Sequence, residues 1–354
     1  MAIFNIVNIV SNENEIYFIT EPYGLLGKID INTGKVNFIL DYNDTEKDLL
    51  FTEMTLWYDK LFLISDSGKA LVYNLMTKKT EVLADIQKTD GFDFSKGWSG
   101  KGMVGGKHYF FLCDCLKSVY MDELGRVEGD KGFCVNEDVI WSYADQYHLC
   151  ALSMDNKIIH VFDMGSGIKN DFETHFYEYS GKSRNVLDVQ GLICDDEYAY
   201  YHDSVNIVRI DISNGETSLF YKSQTEDNGN RLSLINGNIL IPPWEGDTFT
   251  IISRDDGEII NNIKVPEAIY QKRSGLENGY SLTGKPCGND EAIFYPLISM
   301  DAFVRFDKSS NAFSFINLEY DEKELNILRK NIVHEKQVLP ESNFIGLKDY
   351  VCMI

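Results

Sequence analysis

The chain is poor in positive charge and in long apolar runs, and each shortage excludes something. Against 55 Asp and Glu it has 33 Lys and Arg, a formal net charge of −22. Such a surface repels phosphate backbones and anionic headgroups at long range, so nucleic acid and membrane are not expected partners. A cationic protein, a metal ion or a neutral ligand is compatible. No apolar run approaches the ~20 residues of a membrane helix. The opening "MAIFNIVNIVSNENEIYF" has no basic stretch before its apolar residues and no small-residue cleavage site. It alternates, Phe4, Ile6 and the Val10 side against Asn5 and Asn8, and reads as a strand. The seven cysteines are an odd number, scattered through apolar strand patterns such as "HLCAL". Both features lead us to expect reduced core thiols and a cytoplasmic protein.

Catalytic signatures are missing too. "GWSGKGMVGGKH" (97–108) has the flavour of a phosphate loop, but a Walker loop needs Gly, four residues, then Gly-Lys-Ser/Thr. The spacing fails, and Gly105-Gly106 serves better as a hairpin turn. The six histidines form no HExxH or paired-Cys pattern, and there is no G-x-S-x-G elbow. No cofactor and no metal are expected, and no catalytic residue is assigned.

What is present is repetition. Aromatics reach 13%, which suits pleated, half-buried surfaces. "KIDINTGKV" at 28–36 reads as strand, tight turn, strand, and it returns as "RIDISNGET" and "IISRDDGEI". With Gly34 as ruler, equivalent turns fall at Lys78, Gly125, Gly167, Gly215, Gly257 and Asn311, in steps of 42 to 54 residues. Gly and Asn suit turns that need positive φ, and Lys78 is the exception. A second turn precedes each ruler position by 19 to 22 residues, and a third lies between them. Three turns separate four strands, so each unit is an antiparallel meander that cannot bury both faces alone.

Stacked radially, such units make a β-propeller. The expectation is one all-β domain over 1–320, with seven four-stranded blades at roughly 4–45, 46–90, 91–132, 133–180, 181–224, 225–270 and 271–320. A β-sandwich would not explain the even period. The stretch "IDINTGKV" resembles the turn of quinoprotein-type (PQQ-like) propeller repeats, where Asp, Gly and a following apolar strand recur. The likeness covers about nine residues per repeat and is carried by Gly34, Gly215 and Gly257. It implies an architecture and no cofactor: cofactor-binding quinoproteins carry more blades, adjacent cysteines and an export signal, whereas Cys113 and Cys115 here are separated by Asp114.

The tail, 321–354, departs from the pattern. "DEKELNILRKNIVHE" places Leu325, Leu328 and Ile332 at helical spacing behind acids that suit a helix N-terminus. With Phe344 beyond them, these residues are expected to pack on the propeller; the alternative is a partner-binding helix.

Acids recur in register between the second and third strands. Asp66, Asp155, Asp203 and Glu245 each lie twelve residues before the ruler, Asp114 eleven and Glu21 thirteen, with Asp301 in the seventh repeat. In a propeller these turns share a face, so the acids would ring it and hold a cation or a basic segment. The competing reading is that each Asp caps its own turn. His202 beside Asp203 has the residue types for acid–base chemistry, although neighbours on a strand point to opposite faces. Trp244 and Tyr23 are candidates for stacking on a ligand. The expected function is a non-catalytic cytoplasmic scaffold that binds a protein or peptide, a basic one, through this acidic face. The alternative is a carbohydrate-active lyase or hydrolase with channel-facing carboxylates.

Overall fold

The computed structural model describes residues 5–21, 24–41, 51–86, 91–180, 191–203, 205–223, 231–243, 246–266, 284–297 and 302–335. Their strands form successive antiparallel meanders of four, at 5–41, 51–85, 98–130, 139–173, 191–222, 233–264 and 287–317. Each lies within one of the repeat segments read from the sequence. The third and fourth join into one eight-stranded sheet through a parallel pairing of Ala144 with Gly102.

The ruler turns share one device. Gly34, Lys78, Gly125, Gly167, Gly215, Gly257 and Asn311 all have positive φ, Lys78 included at 56°. A polar side chain opens most of these turns and bonds the amides just ahead of it. Asp30 Oδ1 accepts from the N–H groups of Asn32 and Thr33 at 3.0 and 2.8 Å. Asp163, Asp307 and Asn74 each do the same with the amides two and three residues on. These donors favour the ionised carboxyl; with the Ser309 hydroxyl first among them, Asp307 is drawn down to about 2. The recurring Asp and Gly are therefore the two halves of one turn.

Contacts group the chain into two compact units, 1–56 with 263–354 and 57–262. In the first, Ile16, Phe18, Ile29 and Val36 of the first meander share a core with Ala292, Phe294 and Phe303 of the seventh. Backbone bonds join them: Glu319 N–H donates to the Gly34 carbonyl and Val36 N–H to that of Glu319, both at 2.9 Å. The C-terminal helix Glu322–Glu335 starts on Asp321, whose Oδ1 accepts from the Lys323 and Glu324 amides. Leu328 is fully buried in this core and Ile327 packs at its edge, while Leu325 is half-buried outside it. Leu328 thus packs as expected, with Ile327 in place of Leu325 beside it. The Ile332 side chain and Phe344 lie outside the described residues.

In the second unit consecutive sheets share cores. Phe62, Ile64 and Val72 meet Phe110, Val119 and Met121 of the next meander. Further on, Tyr201 and Val208 face the fourth meander, whereas Tyr200 and Ile207 face Ile239 and Ile252 of the sixth. Strand period two thus serves two cores at once. The glycines of "SGKGMVGG" have their own uses. A Cβ on Gly100 or Gly102 would stand 2.0 and 2.2 Å from the Ser142 and Ala144 carbonyl oxygens, so only Gly lets the two sheets approach. Gly105 and Gly106, both at positive φ, close the hairpin.

Candidate functional site

The turn acids fall into two groups. Asp114, Asp155 and Asp203 are described in full and Asp66 is exposed, whereas the Glu21 side chain, Tyr23, Trp244, Glu245 and Asp301 lie outside the described residues. Asp114 is buried, and its carboxylate accepts from the Asp93 amide at 3.0 Å, Lys117 Nζ at 2.6 Å and Lys96 Nζ at 3.2 Å. Burial opposes its ionisation, but these donors outweigh it and hold the carboxyl below its usual range. Asp155 accepts from the Ser153 hydroxyl at 2.9 Å and pairs with Lys157 at 2.8 Å. Asp203, 0% exposed, accepts from the Val205 and Asn206 amides at 2.7 and 2.5 Å and from Asn206 Nδ2 at 3.2 Å.

Each of these three carboxylates is held by its own turn or a close neighbour, and none is drawn to another of the set. His202 is 1% exposed, and neither ring nitrogen has a hydrogen-bond partner. Burial first, with Arg231 in support, pushes its pKa down to about 3, so the ring is neutral at physiological pH. It makes no bond to the Asp203 carboxylate. Nearby, the Arg231 guanidinium lies 4.8 Å from the centre of the Trp141 ring.

The sequence reading passed over a second feature. Large apolar side chains stand exposed at turns of the second to fourth meanders: Tyr58, Met76, Leu124, Tyr147 and Ile168, the first three 86%, 78% and 68% exposed. All lie in first-to-second or third-to-fourth strand turns, which leave a meander at the same end. Neighbouring sheets present that end together. A Cβ on Gly125 would be 3.0 Å from Lys60 Nζ, and the Trp57 and His108 rings are 4.9 Å apart. Within sheets, Leu75 N–H donates to the Asp59 carbonyl and Met164 N–H to that of Tyr147. The available signal was an apolar residue inside a turn motif, as in "WYDK" and "DELGR", where solvation alone calls for a polar one.

Carboxylates also border this end. Asp122 holds Arg126 at 2.6 Å, and Glu81 pairs with Lys60 at 3.3 Å. Exposed apolar side chains interspersed with charged ones can desolvate against a partner of matching character.

No protein family matches the chain, and no curated protein does. Solved structures do. A streptogramin B lyase superimposes with TM-score 0.57 at 12% identity, covering 82% of this chain and 90% of that one. A catalytically inactive virginiamycin B lyase from Staphylococcus aureus, with quinupristin, gives 0.58 at 13% identity, covering 83% and 92%. PorZ, a bacterial surface component of the type-IX secretion system of Porphyromonas gingivalis, gives 0.60 at 9% identity, covering 90% of this chain and 39% of that one. These neighbours are propeller-type proteins. At such identities the likeness establishes the fold alone: an all-β propeller of four-stranded antiparallel sheets with a small C-terminal helix.

Proposed function

We propose that this propeller is a non-catalytic scaffold that binds a protein or peptide partner in the cytoplasm. The observation that carries the reading is the run of exposed Tyr58, Met76, Leu124, Tyr147 and Ile168 at one end of three consecutive meanders. Tyrosines and flexible apolar side chains give contact area when water is expelled. The net charge of −22 selects a partner with basic residues around an apolar centre. The second-to-third-strand turns that carry Asp66, Asp114, Asp155 and Asp203 leave the meanders at the opposite end, so an acidic face there, with Glu21, Glu245 and Asp301 as further candidates, would be a separate contact surface of the same scaffold. A carbohydrate-active enzyme resting on Asp203 and Glu245 has less support, because the Asp203 carboxylate is committed to its own turn.

The test is a cross-linking and co-precipitation comparison in the cells of origin. The wild type is set against Tyr58→Ser/Leu124→Ser/Ile168→Ser, at low and high salt. The wild type should recover a defined basic partner, the triple variant should lose it, and salt should weaken it. Equal recovery by both proteins would remove this face from the function.

A further inference from the structure

Two groups of ligand-type side chains exist among the described residues, and they differ in one respect. Asp114, Cys115 and Asp138 converge, but the Lys96 ammonium already occupies that centre, 3.2 Å from Asp114 and 2.9 Å from Asp138. A metal there would have to expel a cation that completes the site. The second group is Asp145, His148 and Asp196, whose ligand atoms all lie within 4.8 Å of one another. Among the described residues no ammonium or guanidinium is paired with them. The adjacent Asp195 does have one, Arg254 at 3.4 Å.

The geometry of this second group is held by backbone. Asp145 Oδ1 accepts from the Tyr147 and His148 amides, both at 2.7 Å, which fixes the turn between Val139–Ala144 and His148–Ser153 and leaves its second oxygen for another bond. Asp196 comes from the turn between Gly191–Cys194 and Tyr198–His202, in the next meander. Independently of the carboxylates, His148 Nδ1 is sealed from solvent and has no hydrogen-bond partner. A buried, unsatisfied nitrogen costs about 1–3 kcal/mol. Two carboxylates gathered beside it add their mutual repulsion in a chain that is already strongly anionic. A cation bound through Nδ1 would remove both costs at once.

We propose that Asp145, His148 and Asp196 bind a divalent transition-metal ion, zinc fitting best, which clamps the fourth and fifth meanders together at their turns. The imidazole selects against calcium and magnesium, which take oxygen ligands, and in favour of zinc, cobalt or nickel. Three protein ligands leave open positions for water or for a side chain of a bound partner. Asp145 and His148 are three apart in sequence and Asp196 lies in another repeat, so no linear motif announces the set. The site goes beyond the scaffold reading and stands or falls separately from it.

The experiment uses the full chain stripped with a chelator. Calorimetric titration with Zn²⁺ should show one equivalent bound, and Ca²⁺ should not compete. Because metal binds the folded state, Zn²⁺ should raise the melting temperature, and chelator should reverse it. Asp196→Asn replaces an exposed side chain, so the metal-free variant should melt as the wild type does; it should bind Zn²⁺ at least about tenfold more weakly. His148→Gln should behave alike. Co²⁺ should give a visible spectrum without a thiolate charge-transfer band. Absence of Zn²⁺ binding by the wild type, undiminished binding by Asp196→Asn, or a thiolate band would each overturn the proposal.

Discussion

His202 shows how much one burial decides. Its imidazole has no partner on either nitrogen, so the folded chain accepts a proton there only near pH 3, against about 6.5 in an unfolded chain. Below about pH 6.5 the unfolded state therefore binds the extra proton first, and stability falls as pH drops toward 3. His108, pushed down to about 4 by burial and then by Lys101, adds to the same slope. Melting temperature measured from pH 7 to 4 should decline, and His202→Phe should flatten the decline. An unchanged slope would mean that the ring finds a partner in solution. A second residue-scale test separates two costs of a methyl group. Gly34 and Gly167 have nearly the same φ, 73° and 72°. At Gly34 a Cβ would stand 1.9 Å from the Asn317 carbonyl oxygen, whereas at Gly167 it meets nothing within 4 Å. Gly167→Ala should cost about 1–2 kcal/mol from φ alone. Gly34→Ala should add roughly 1–3 kcal/mol of overpacking. Equal melting temperatures would show that the Gly34 turn relaxes freely.

Among the elements, the C-terminal helix is the clearest case of packing overriding pattern. Its acids and its period were legible before the structure, and its Asp321 cap was not. Which side chains enter the core was legible only in part: Leu328 does, as its spacing led us to expect, but Ile327 rather than Leu325 packs beside it, because the exit from the seventh meander at Glu319 is already tied to Gly34 and Val36. Leu328→Ala should therefore cost about 2–5 kcal/mol in urea unfolding, and Leu325→Ala distinctly less. Truncation after Glu319 should lower the melting temperature by at least as much as Leu328→Ala. A helix whose loss leaves the melting curve in place would be a free recognition element instead. The joined third and fourth meanders teach a related point. Gly100 and Gly102 look like loop residues in sequence, yet they are strand residues whose missing side chains admit the neighbouring backbone.

For the molecule as a whole, net charge opposes the compact state. Most described turn acids are spent on backbone amides or on lysines, but the sum of −22 still repels itself through solvent. Raising ionic strength from about 0.01 to 0.15 M shortens the screening length from about 30 to 8 Å. Melting temperature should rise over that range. A fall would mean that the surface ion pairs, such as Lys157 with Asp155, outweigh the long-range repulsion. The same salt should weaken partner recovery, so stability and binding should move in opposite directions.

The sequence by itself determined the repeat: an Asp or Asn opening a turn, a Gly or Asn closing it, and alternating apolar strands between. Those are local requirements, written within ten residues of one another, and even the off-pattern Lys78 obeys them at φ 56°. Tertiary structure alone decided how the remaining polar groups are used. Asp114 meets Lys96 and Lys117, His202 is sealed without a partner, and Asp145 and His148 meet Asp196 from the next sheet. Each of these outcomes depends on which sheet packs beside which and at what register, distances that no spacing along one strand encodes.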